Sequence, residues 1–261
     1  MYKKSDRFIP SCVGLLDVSA LPATLWERSA QTFLSATELA VLGTIRHARR
    51  RQEWISGRAL AKYLVLSGAF PCNIVRMVGI DQLMSVPIFE YREVDVLPNR
   101  DGAPEMWRRE TLMDRALSLS HAGGWVAAAL LDEGSIGIDC EVIQARHQAF
   151  LNDSFVEAER KWVKGHVVAD GPSVDCLYTL LWSFKEAALK TGRMASPRAI
   201  NIRLRTDSDF PVAAFRRLQA SSRELISLDW RVNGLAPRFA FTACLGWVLS
   251  LVHFPRLPRY A

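Results

Sequence analysis

A chain of 261 residues, 49% hydrophobic and 23% charged, has the apolar content for a substantial core, as one large domain or two of ordinary size, and falls outside the disordered class. Its 33 basic against 27 acidic residues give a net charge of +6, a surplus that suits nucleic acid, an anionic small molecule or an acidic protein partner without choosing among them. Its five cysteines, Cys12, Cys72, Cys140, Cys176 and Cys244, are widely spaced and form no C-x-x-C pair, which argues against a zinc site or disulfide framework and for a reducing cytoplasm.

Residues 8–18 read as an opening strand, preceded by an N-terminus without the apolar core and cleavage site of a signal peptide. Ser35 is the expected cap of a helix over 34–43. The basic run His47-Ala48-Arg49-Arg50-Arg51 leads into a long helix, Gln52 to Ser67, with Trp54, Leu60, Leu64 and Leu66 as apolar positions and Gly68 as its stop. Residues 72–104 end in Leu97-Pro98-Asn99-Arg100-Asp101-Gly102-Ala103-Pro104, dense in turn formers, and read as a linker. The expected division is an N-terminal subdomain at 1–114 and a C-terminal one at 115–261. Strands are predicted at 116–120, 125–131 and 136–142, with Asp132-Glu133-Gly134 as a hairpin turn. Ser154-x-x-Glu157 has the form of a capping box opening a helix to about Val163. Asp175 can cap a second helix with the stripe Leu177, Leu180, Leu181, Phe184 and Ala188, stopping at Gly192. Residues 199–253 return to strand patterning. Their apolar run Phe239–Val252, about 14 residues, is shorter than a spanning helix needs, so no membrane segment is expected. The tail over 255–261 reads as irregular. No exact repeat is visible, but each half sets strands around a substantial helix, which permits a weak structural duplication.

Chemistry is concentrated in two motifs, Gly137-Ile138-Asp139-Cys140-Glu141 and Trp182-Ser183-Phe184-Lys185-Glu186. A strand's period of two sends Asp139 and Glu141 to one face, and Glu186 can approach that face from a helix. Three carboxylates beside a lysine suit Mg²⁺ shared with a phosphate-bearing substrate, because Mg²⁺ takes oxygen ligands and completes its shell with phosphate and water. Ser120 and His121 stand at a strand end before Gly123-Gly124, where imidazole and turn amides could hold a phosphate. With no G-x-S-x-G elbow, a serine hydrolase is not expected. Arg49, Arg50, Arg51, Arg58 and Lys62 could meet further phosphates, Arg58 and Lys62 lying one turn apart on a helix.

In this order, Ser118-Leu119-Ser120-His121, the Gly137–Glu141 segment, Phe155 with Glu159, and the run from Trp182 through Lys190 resemble the 4′-phosphopantetheinyl transferases of the surfactin-synthetase-activating (Sfp) type. The firm resemblance covers roughly residues 115–192, and the helix with Gly57-Arg58 is similar to the family's first long helix. The resemblance implies an α/β fold of two similar subdomains related by a pseudo-twofold, each with strands around a long helix and with the active site in the cleft between them. It implies transfer of 4′-phosphopantetheine from CoA to a serine of an apo acyl or peptidyl carrier protein, leaving adenosine 3′,5′-bisphosphate. It further implies Asp139, Glu141 and Glu186 as Mg²⁺ ligands, with Glu186, or Glu159 through water, taking the serine proton. Glu157 is expected to be the structural acid of its helix start. Lys185 and Lys190 would face CoA phosphates, with Ser120, His121, Arg58 and Lys62 as further CoA contacts. Ala103 stands where the family often has lysine, and Ala122 where it often has serine, departures that touch CoA affinity rather than the metal set.

A metal-dependent nuclease or phosphodiesterase is the rival enzyme reading. It fits less well because Glu141 is followed by Val142 and Ile143 rather than by a lysine two residues on. A non-enzymatic CoA- or carrier-binding protein is the other alternative. A nucleic-acid partner has no recognition motif to support it, and a chain that builds its own cleft is expected to be a monomer. Fatty-acid, polyketide and peptide carriers are not distinguished by these residues.

Overall fold

In the computed structural model the described residues are 12–19, 21–68, 74–167, 171–194, 200, 202–204, 224–228, 230–232, 235, 237–244 and 246–255. Cys72, the start of the expected opening strand and the tail beyond 255 lie outside them. The chain divides into two compact units, one over Pro10–Glu133 and one from Gly134 onward.

The first unit contains β1 (Cys12–Asp17), α1 (Ala23–Phe33), α2 (Ala36–Thr44), α3 (Ala48–Leu66), β2 (Arg76–Val78), α4 (Ile80–Met84), α5 (Ile88–Arg92), β3 (Val94–Pro98), β4 (Pro104–Arg108), β5 (Thr111–Leu112), β6 (Ala116–Ala122) and β7 (Trp125–Leu131). Its main sheet has the order β2-β1-β7-β6, and β3-β4-β5 form a second sheet. Helix α3 packs on the main sheet through Leu60 and Leu64, among Leu16, Val126 and Ala128. Ser35 caps α2 as expected: its hydroxyl accepts from the Glu38 N–H, and the Glu38 carboxylate accepts from the Ser35 N–H.

Several expectations are corrected here. The long helix begins at Ala48, so Arg49–Arg51 form its first turn. Arg51 donates to both Glu27 carboxylate oxygens and to the Leu42 and Ile45 carbonyls, tying α1 to the end of α2. Residues 74–104 are no linker. They hold β2, α4, α5 and β3, whose Leu83, Tyr91, Val94 and Val96 are fully buried. The division falls after Glu133 rather than after 114, because β6 pairs with β7 and β7 with β1. Asp132-Glu133-Gly134 is therefore no hairpin: β7 and the strand that follows it belong to different sheets. The tight turn in this region is Gly123-Gly124 between β6 and β7, where both glycines have the positive φ such a turn requires.

The second unit contains β8 (Ser135–Val142), α6 (Gln148–Ser154), α7 (Glu157–His166), α8 (Val174–Lys190), β9 (Ile202–Leu204), β10 (Ile226–Leu228), β11 (Trp230–Val232), β12 (Arg238–Cys244) and β13 (Trp247–Phe254). Its main sheet is antiparallel, in the order β10-β12-β13-β8, and β9 pairs with β11. The expected stripe of α8 is wholly buried, with Phe184 at 4.9 Å from Trp230 and 5.1 Å from Phe239 between ring centroids. Each such side chain contributes about 1.5–3 kcal/mol by burial. Ser173, rather than Asp175, caps the helix by accepting from the Cys176 N–H. Helix α8 rests directly on β8: a Cβ at Gly137 would stand 1.7 Å from the Ala187 carbonyl oxygen. The fold is mixed α/β, and no helix among the described residues is long and apolar enough to cross a membrane.

One device occurs in both units. In the first, the Lys62 ammonium on α3 is fully buried, donating to the Glu38 carboxylate and to the Phe33 and Tyr91 carbonyls. Glu38 also accepts from the backbone N–H groups of Ser35 and Val96. In the second, Lys185 on α8 donates to Glu159 and to the Ser154 carbonyl, while Glu159 accepts from the Val156 and Ile202 N–H groups. Phe33 and Ser154 stand at the same offset from their glutamates. Gly14 and Gly137 each lie against the residue at the same place beyond the lysine, Leu64 and Ala187.

Candidate active site

Strand β8 and helix α8 bring the two motifs together. Trp182, Glu186 and Lys190 recur at helical spacing along the side of α8 that runs over Asp139 and Glu141, and the Ser183 hydroxyl donates to the Asp139 carbonyl. Asp139 is buried, and its Oδ1 accepts from the Lys190 ammonium at 2.8 Å. Lys190 also donates to the Ile138 carbonyl at 3.1 Å, which fixes it against the strand. Glu141 is partly exposed and accepts from the Arg146 guanidinium at 3.0 Å.

The three acids act on one another. Burial, then the charge of Asp139, raises the Glu141 pKa above the usual carboxylate range, against the opposing pull of Arg146. Burial and Asp139 likewise raise Glu186, with Glu141 adding to the shift and Lys190 opposing it. Carboxylates whose ionisation is mutually penalised in this way are relieved by a cation. Cys140, buried between the two strand acids, is pushed up to about 12 and is inert as a nucleophile.

The expected metal set is present as a neighbourhood rather than as an assembled coordination sphere. Among the described residues no group of three or more His, Cys, Asp or Glu side chains is gathered closely enough to hold an ion. Instead Lys190 and Arg146 stand as cations on Asp139 and Glu141. The donor set nevertheless fits Mg²⁺ in kind: all oxygen, acidic and mutually repelling, with two positions already satisfied by positive charge. Asp139, Glu141 and Glu186 would hold such an ion after side-chain rearrangement.

The other expected contacts are placed differently. Lys185 and Glu159 are 1% and 0% exposed and paired with each other at 2.8 Å, so neither side chain faces a ligand. Burial lowers the Lys185 pKa, and Glu159 opposes that shift. The capping assignment is reversed as well: α7 starts at Glu157, Glu159 is the acid that reaches back to Val156, and Glu157 is an exposed partner of Lys161. Lys62 lies in the matching clamp of the first unit. Arg58 is buried over the Trp54 ring and is lowered to about 9 by burial, against the pull of Glu38. Ser120 is buried, whereas His121, its neighbour on β6, is 47% exposed and meets Glu53 at 3.1 Å. Only His121 of this pair offers its side chain to solvent.

Arg146 was not legible as a site residue, since it sits in an irregular segment after β8 with only its distance from Glu141 as a signal. Against this geometry, residues 135–240 match the family model of the 4′-phosphopantetheinyl transferase superfamily. The matched span contains β8, α8 and all three acids. It points to a transferase acting on phosphopantetheine in general. No curated protein matches the chain.

Proposed function

We propose that the chain is a 4′-phosphopantetheinyl transferase of the surfactin-synthetase-activating type, moving phosphopantetheine from CoA to a serine of an apo acyl or peptidyl carrier protein. The observation that carries this reading is the coincidence of the superfamily match with the acid cluster of Asp139, Glu141 and Glu186. The serine Oγ attacks the phosphorus bearing pantetheine, the bridging P–O bond breaks, and adenosine 3′,5′-bisphosphate leaves with the bridging oxygen. A divalent ion held by the three acids would neutralise the pyrophosphate charge. Glu186 is the proposed acceptor of the serine proton, because Glu159, the other candidate, is committed to the buried clamp. Lys190, already beside Asp139, is the cation best placed to meet a phosphate oxygen, and His121 is the proposed CoA contact from the first unit.

The test is the intact mass of an apo carrier protein after incubation with the chain, CoA and Mg²⁺. A gain of one phosphopantetheine, lost with EDTA and in Asp139→Ala, is expected. A folded protein that modifies none of several unrelated carriers would overturn the reading.

A further inference from the structure

We propose that Arg146 is the protein's own counter-ion on Glu141, and that a divalent cation enters the acid cluster by displacing its guanidinium. The inference rests on the reading of this cluster as the metal site. Its basis is an asymmetry between the two cations already there. Lys190 belongs to α8 and is pinned by a second bond to the Ile138 carbonyl. Arg146 belongs to the irregular segment between β8 and α6, so it can leave without moving Glu141 or the helix.

The arginine has a seat rather than a loose surface position. Its guanidinium lies 5.3 Å from the Phe150 ring centroid, and Phe150 packs edge-on against Trp182 at 4.9 Å. Phe150 therefore supports both the Arg146 guanidinium and the Trp182 indole on one ring. The seat is incomplete, because the buried Nε of Arg146 makes no hydrogen bond, and a buried donor without a partner favours release. The pair is also partly open, at 19% and 22% side-chain exposure, so water can take over the guanidinium as it leaves. A dication cannot share Glu141 with an adjacent guanidinium without like-charge repulsion. The positive charge at 146 therefore lowers cation affinity.

The experiment is calorimetric titration of Mn²⁺ into the wild-type chain, Arg146→Gln, Arg146→Lys and Asp139→Asn, with folding checked by circular dichroism. Arg146→Gln is expected to bind Mn²⁺ about tenfold more tightly than wild type, since it removes a competing unit charge. Arg146→Lys is expected to stay close to wild type. Unchanged or weaker binding in Arg146→Gln overturns the displacement, and equal tightening in Arg146→Lys overturns its electrostatic cause. If Arg146→Gln does not fold, Arg146→Met removes the same charge while keeping an aliphatic stem beside Phe150 and is expected to tighten binding to a similar extent; no change would overturn the proposal. Absence of Mn²⁺ binding in the wild type and Asp139→Asn alike would sink the metal reading itself, and this inference with it.

Discussion

At the scale of single residues, the recurrence of the lysine–glutamate clamp separates acids that hold the fold from acids that the fold does not require. Aligning Lys62 with Lys185 and Gly14 with Gly137 places Leu16 and Val18 where Asp139 and Glu141 stand, and Tyr63 where Glu186 stands. Leu16, Val18 and Tyr63 are buried apolar core. The same framework thus forms without the three acids but keeps Glu38 and Glu159, which argues for chemistry at Asp139, Glu141 and Glu186 and for structure at Glu159. Burying two charges is tolerable only when each completes the other's hydrogen bonds, and breaking such a pair costs about 3–5 kcal/mol. Glu159→Gln is therefore expected to lose roughly 3 kcal/mol in urea unfolding, while Glu157→Gln, at an exposed site, leaves the midpoint unchanged. The double variant Glu159→Gln with Lys185→Met should be less destabilised than the two single effects added together, the signature of direct coupling. Full additivity would refute the clamp. At Glu186 the expectation is the reverse: Glu186→Gln keeps its unfolding midpoint and loses transfer by about two orders of magnitude or more, the scale of a general base.

At the scale of elements, the sequence was most legible where one physical signal dominated. The alternation at β8, the apolar stripe of α8 and the Ser35 cap were all readable, because periodicity and capping are local. Helix α1 went unread: it has no side-chain cap and buries only Trp26, Ala30 and Phe33 along its length. The turn-rich 72–104 segment suggested a linker because its elements are short and held by long-range burial of Tyr91 and Val96, which no window can see. The start of α7 was misplaced by two residues because two acids compete there, and only the Ile202 and Lys185 contacts decide that Glu159 turns inward. Close backbone approach was equally invisible. Gly137→Ala would drive a methyl into the Ala187 carbonyl and is expected to cost about 3 kcal/mol or more, whereas Gly165→Ala has open space and should shift the thermal midpoint little. Comparable midpoints for the two variants would contradict the contact of α8 with β8. In the first unit, Arg51 holds the Glu27 carboxyl pKa below 4.5, first through its hydrogen bond and then through its charge, with burial opposing. A depressed folded pKa means stability that is present above pH 4.5 and lost as pH falls through the lowered value. Denaturant unfolding of Glu27→Gln should show a shallower stability loss on the acid side of pH 4.5 than wild type; identical acid limbs would show the pair to be fully screened.

At the scale of the whole molecule, the chain carries a net charge of +6, and the four ion pairs of the candidate site and the buried clamps do not contribute to it. Lys62 with Glu38, Lys185 with Glu159, Lys190 with Asp139 and Arg146 with Glu141 are each self-compensating. Removing all four pairs from the count leaves the surplus of +6 unchanged. A net positive charge accelerates the encounter with an acidic carrier protein and contributes little once the partners are in contact, because the field acts mainly over the approach. Salt should then act on encounter rather than on phosphoryl transfer. Between about 0.05 and 0.5 M salt the Debye length falls severalfold, and the apparent KM for the carrier is expected to rise several-fold while kcat stays within about twofold. Steady-state transfer measured at a series of ionic strengths, with CoA saturating throughout, separates the two parameters. A KM that ignores ionic strength would mean that recognition rests on apolar or shape contacts and that the basic surplus serves another purpose. A kcat that falls in parallel would instead place the salt effect at the reacting phosphates.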